Sequence, residues 1–153
     1  MATRSSITIC EKEHGAGEVY KSVYCHLDGY TQHNGILLLE NYSTEEKVRE
    51  LISHGDMSSL AERIAPNEGE EHSFDKSLPD VCVFYHRDRG EAWEQVQPIV
   101  SYSEKGIFKW NKQEYNYLFQ DGKWYWNTWH DEEWRDGKPL WKELTEADCR
   151  MRR

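Results

Sequence analysis

Apolar and polar residues alternate at the start of the chain. In "SITIC" Ile7 and Ile9 share one face, and in "VYKSVYCH" Val19, Val23 and Cys25 share one face, so both stretches read as strands. Between them "EKEHGAGE" carries two glycines and reads as the loop of a hairpin, and "DGY" ends the second strand. The period then changes. "HNGILLLENY" predicts a short apolar helix whose start is weakened by Gly35. Ser43 and Glu46 stand at capping-box spacing, Val48, Leu51 and Ile52 follow on one helical face, and Gly55 is placed to stop that helix. Asp56 is expected to cap another short helix, with Leu60 and Ile64 on one side and Pro66 beyond its end.

The second half begins with a polar, acidic loop, "APNEGEEHSFDKSLPD", in which Phe74 is the side chain expected to pin the backbone down. "VCVFYH" at 81–86 is continuously apolar and predicts a strand at the centre of the sheet, ending abruptly in "RDRGE". The stretch around Trp93, Pro98 and Tyr102 has no clear period. "EYNYLFQDGKWYWNTW" is a hairpin with Asp121-Gly122 as its two-residue turn, because these residues tolerate the positive φ angles the turn needs. That turn sets Phe119 opposite Trp124, Tyr117 opposite Trp126 and Leu118 opposite Tyr125. Both faces are then apolar or aromatic, so the hairpin is covered on two sides or exposes a sticky one. Beyond it, Pro139 is expected to open a last helix carrying Leu140 and Leu144, with the basic "RMRR" at its end.

The pattern adds up to an α+β fold over residues 1–153. It has an antiparallel or mixed β-sheet, helices packed mainly on one face, and an aromatic C-terminal hairpin. A chain of 153 residues is expected to form one domain with a substantial core. No apolar run approaches a membrane span, and "MATRSSITIC" lacks the apolar stretch of a signal peptide, so a cytoplasmic location is expected. The four cysteines, Cys10, Cys25, Cys82 and Cys149, form no CxxC pair and are expected as free, buried thiols. The formal net charge of −9 repels phosphate backbones and opposes direct nucleic-acid binding. It suits high solubility, a basic partner, or imitation of a nucleic acid's charge instead. All seven tryptophans fall between Trp93 and Trp141, the strongest compositional bias of the chain.

"YCHLDGY" places Cys25, His26 and Asp28 together, yet adjacent strand residues point to opposite faces, so Cys25 and His26 make a poor catalytic dyad. His26, His33, His86 and Asp28 lack the paired spacing of a metal site, and no metal or other cofactor is expected. "HRDRGE" offers two arginine forks, Arg87 and Arg89, around Asp88. These either grip a phosphate or carboxylate or form an internal Arg–Asp network that ties strand ends. If Arg4, His26, Asp28 and Tyr30 meet Arg87, Asp88 and Arg89 at one edge of the sheet, together they make a ligand pocket.

The blocks "MATRSSI", "YCHLDGY", "NGILLLENY", "LISHGDMSSL", "HSF", "YHRDRGE" and "YNYLFQDGKWYW" together resemble a widespread family of small bacteriophage-encoded proteins. The resemblance covers nearly the whole chain in the same order, and members more often carry tryptophan where this chain has Leu27. It implies a phage or prophage origin and carries over no reaction and no catalytic residues. Small phage accessory proteins often disable a host or defence factor. The leading expectation is therefore a non-enzymatic protein that binds and inhibits a host or anti-phage defence component. Its partner surface is expected around Trp126, Trp129, Glu132, Glu133 and Trp134. A sponge for a small nucleotide or other phosphate-bearing ligand is the alternative, and a small hydrolase or transferase using His26, Asp28 or Cys25 is the third.

Overall fold

The computed structural model describes residues 2–13, 17–129, 134–135 and 138–150. Its centre is the hairpin that the opening alternation predicts. β1 (Ser5–Glu13) pairs antiparallel with β2 (Gly17–Cys25), with Ile7 opposite Val23 and Ser5 opposite Cys25. The aromatic hairpin follows its predicted register. In β6 (Tyr115–Gln120) and β7 (Lys123–Thr128), Phe119 faces Trp124, Tyr117 faces Trp126 and Leu118 faces Tyr125. Asp121 and Gly122 hold φ angles of 52° and 79°, as a tight two-residue turn requires. The two hairpins join through a parallel pairing of β1 with β6, which brings Ile7 beside Tyr117 and Ile9 beside Phe119.

Three very short strands, β3 (Met57–Ser59), β4 (Val83–Phe84) and β5 (Ile99–Ser101), extend the sheet beyond β2. On the other side β10 (Lys142–Glu143) adds to β7, giving the order β10-β7-β6-β1-β2-β3-β4, with β5 also on β2. β8 (Trp134–Arg135) and β9 (Lys138–Pro139) form a separate small ribbon. The result is the expected α+β architecture around a mixed sheet.

Helices cover both faces unequally. α1 (Ile36–Asn41) and α2 (Glu45–Ser53) lie on the face of Ile7, Ile9, Val23 and Tyr117, and close the larger core with Leu38, Val48, Leu51 and Ile52. Each fully buried side chain of this size contributes about 1.5–3 kcal/mol of transfer free energy. Two four- to five-residue helices, α3 (Tyr85–Arg89) and α4 (Trp93–Val96), lie beyond β4. α5 (Glu104–Phe108) packs Ile107 and Phe108 on the opposite face, against Cys10, Tyr20 and Leu118. The β6–β7 hairpin is therefore covered on both sides. Among the described residues no helix is long and apolar enough to cross a membrane.

Four local expectations need correction. Thr44, not Ser43, caps α2, its Oγ1 accepting the Lys47 N–H at 3.2 Å. No helix follows Asp56: residues 57–59 are β3, because their backbone is claimed by Cys25 on one side and Phe84 on the other. The apolar run 81–86 is not a central strand. Val83–Phe84 join the sheet only at its edge, Val81 forms an isolated bridge to Arg63, and Tyr85 already begins α3. Pro139 opens no helix. It lies in β9, Lys142–Glu143 extend the sheet, and the chain turns helical only as a 3-10 turn at Glu146–Cys149, capped by Thr145. The final "RMRR" falls largely outside the described residues.

Candidate functional site

The "YCHLDGY" segment is a structural lock. Cys25 is fully buried, and its thiol lies 3.4 Å from the Asn34 amide. Burial pushes that thiol up to about 12, so it stays protonated and is a poor nucleophile. The same Asn34 amide also donates to Ser5 Oγ and to the Leu27 carbonyl, each at 3.2 Å. Asp28 adopts a positive φ of 55°, and its carbonyl accepts the Asn34 N–H. Gly29 then packs so tightly on Thr3–Ser5 that an added Cβ would lie 2.8 Å from Ser5 Cβ. Its N–H donates to the Thr3 carbonyl at 2.8 Å, and its carbonyl accepts the Tyr117 hydroxyl at 2.6 Å. All of this fixes the backbone that carries Arg4.

His26 lies on the other face, half-buried, as the alternation requires. Its Nδ1 is 2.7 Å from the Tyr24 hydroxyl, whose oxygen accepts from Arg4 Nε at 3.1 Å. Arg4, Tyr24 and His26 thus form one polar row across the starts and ends of β1 and β2. Asp28 and Tyr30 bond to each other, hydroxyl to carboxylate at 3.2 Å, in the adjoining turn.

The "HRDRGE" arginines do not join this row. Arg87 forms the internal network foreseen as one alternative. It donates twice to Asp88 at 2.9 and 3.0 Å, to the Ile64 carbonyl at 2.7 Å and to the Cys82 carbonyl at 2.9 Å. Asp88 in turn accepts the Phe84 N–H and lies 3.4 Å from a buried His72. His72 Nδ1 accepts from Leu78 N–H, so its Nε2–H donates to the Cys82 carbonyl. This buried histidine, together with Phe74 and the Arg63–Asp80 pair, pins the acidic loop. Arg89 lies over Phe74 and lines a separate shallow groove with Ser73, Asp75 and Asp88.

Arg4 instead meets a residue expected in a different surface, Trp129. Arg4, Lys112, Gln113, Glu114 and Trp129 line a groove of about 280 Å³. It forms where β1 and β6 begin side by side and β7 ends. The backbone around it is tied by three bonds: Arg4 N–H to the Glu114 carboxylate, Tyr115 N–H to the Arg4 carbonyl, and Trp129 N–H to the Glu114 carbonyl, each 3.2 Å. Trp129 stays 58% exposed. The other expected partner residues behave differently. Trp126 stacks on Tyr115 and lies under Lys142, while Trp134 packs edge-on against Phe108 and donates to the Thr128 carbonyl. Glu132 and Glu133 lie outside the described residues.

Lys112, Gln113 and Glu114 carry no motif. One signal was available in the sequence: residues 105–113 hold three lysines and no acid, in a chain of net charge −9. Among the described residues no group of three or more His, Cys, Asp or Glu side chains is gathered to hold a metal ion. The chain matches no protein-family model, no curated protein and no solved structure.

Proposed function

We propose that this chain is a non-enzymatic accessory protein of bacteriophage type that binds and inhibits a host or anti-phage defence protein in the bacterial cytoplasm. The groove between Arg4 and Trp129 is its recognition surface. The carrying observation is the exposed indole of Trp129 on the wall of a groove whose backbone is hydrogen-bonded in place. An exposed tryptophan leaves a large apolar area in water, and tryptophan and arginine dominate the energetics of protein interfaces. Rigid strand ends lower the ordering cost of binding. The protonated, buried Cys25 and the His26–Tyr24 bond support binding over nucleophilic chemistry.

The test is purification of the tagged chain from infected bacteria, native mass spectrometry of the complex, and titration of the partner so found. Trp129→Ala should weaken the complex by about 2 kcal/mol or more, roughly thirtyfold, with the thermal midpoint unchanged. Equal affinity in the variant, or a bound mass of only small-molecule size, overturns the reading.

A further inference from the structure

We propose that the groove takes an acidic segment of its partner, with a carboxylate held between Arg4 and Lys112 and a neighbouring apolar side chain laid on Trp129. This rests on the groove being the recognition surface, and it assigns a partner opposite in sign to the one the net charge alone suggests.

The charge of the groove's own lining carries the inference. Among the described residues seven lysines and arginines have a carboxylate within ion-pair distance, Arg49 with Glu11 and Glu45, Arg63 with Asp80 and Glu70, and Arg87 with Asp88 among them. Arg4 and Lys112 have no carboxylate within ion-pair distance of their side chains among the described residues. Arg4 commits only Nε, to Tyr24, which leaves the terminal nitrogens of its fork for a planar anion. The Lys112 ammonium sits 4.2 Å over the Trp134 ring, a contact that orients the cation without neutralising it. Of the groove's charged lining, two cations stand against one carboxylate, Glu114, whose oxygen already accepts the Arg4 N–H.

The experiment titrates ¹⁵N-labelled full chain with four small aromatic probes: N-acetyl-phenylalanine, its uncharged amide, phenethylamine and phenyl phosphate. The indole N–H resonance of Trp129, assigned by its loss in Trp129→Phe, is the readout. N-acetyl-phenylalanine should move it, the amide and phenethylamine should move it several-fold less, and Arg4→Gln or Lys112→Gln should each reduce the response several-fold in an otherwise unchanged spectrum. A response to phenethylamine as large as to the acid overturns the proposal. A clear preference for phenyl phosphate also overturns it, in favour of a phosphate-bearing small ligand. With the partner protein in hand the two readings separate. Loss of binding in Trp129→Ala but not in Arg4→Glu or Lys112→Glu sinks the acidic segment alone, whereas full binding in Trp129→Ala sinks the groove.

Discussion

Arg4 and Arg87 show how far residue type falls short of residue role. Both stood in the sequence as candidate anion ligands, yet Arg87 is committed to three carbonyl and carboxylate partners, while Arg4 gives one bond and keeps its fork free. The difference lies in what the fold brings near: the Ile64 carbonyl that Arg87 holds is 23 residues away. Removing the Arg87 guanidinium leaves Asp88, whose side chain is only 4% exposed, without its counter-charge, and takes a donor from the Ile64 carbonyl and from the Cys82 carbonyl, which keeps His72. Arg87→Ala should therefore destabilise the fold by about 3 kcal/mol, and Arg87→Lys, a point charge without a fork, should recover little of it. Arg4→Ala should shift the urea midpoint by less than about 0.5 kcal/mol in equivalent stability. Equilibrium unfolding of the three variants checks this. A milder loss in Arg87→Ala than in Arg4→Ala would reverse the two roles.

At the scale of elements, what was legible is what is specified locally. The β6–β7 register follows from Asp121-Gly122 alone, since a two-residue turn fixes every pair behind it. A Cβ at Gly122 would meet nothing within 4 Å, so Gly122→Ala isolates the cost of the positive φ and should lower stability by about 1 kcal/mol without changing the pairing. Elements set by distant partners were not legible. Asp56 looks like a helix cap, but its carboxylate accepts the Tyr24 N–H at 2.9 Å, its N–H donates to Val96, and its carbonyl accepts from Tyr85. Three elements meet on it. Burial pushes the Asp56 carboxyl up to about 6, opposed by the Tyr24 bond. With the folded value above the unfolded 3.8, the folded state holds the extra proton, so this group's contribution is full below pH 4 and is lost as pH rises through 6. Asp56→Asn keeps the acceptor for Tyr24 and removes the charge. Relative to wild type it should gain about 2 kcal/mol between pH 4 and pH 7, read from thermal midpoints across that range. A constant difference over the range would mean that Asp56 titrates as it does in the unfolded chain.

For the whole molecule, the decisive step is the parallel pairing of β1 with β6, two strands about a hundred residues apart. No local pattern announces it, and the groove exists only because of it: Arg4 precedes one strand, Lys112, Gln113 and Glu114 precede the other, and Trp129 ends the neighbour. The sheet is also two-faced in a way that alternation hid. Behind the apolar core runs a buried polar row, Ser6, Thr8, Ser22, Asn111, Asn116 and Asn127, each 3% exposed or less. Asn116 is its latch to the groove: its oxygen accepts from Ser6 Oγ and Gln113 N–H, and its amide donates to the Gln113 carbonyl. Asn127, directly opposite on β7, has no hydrogen-bond partner among the described residues for either side-chain amide atom. A satisfied and an unsatisfied buried amide should respond oppositely to the same apolar replacement. Asn116→Leu should cost about 2–3 kcal/mol and, by releasing Gln113, weaken whatever the Arg4–Trp129 groove binds. Asn127→Leu removes a desolvation penalty and should stabilise by about 1 kcal/mol with binding intact. Thermal midpoints with one binding titration per variant decide it, and a destabilised Asn127→Leu would show that this amide contributes to the fold through contacts other than hydrogen bonds.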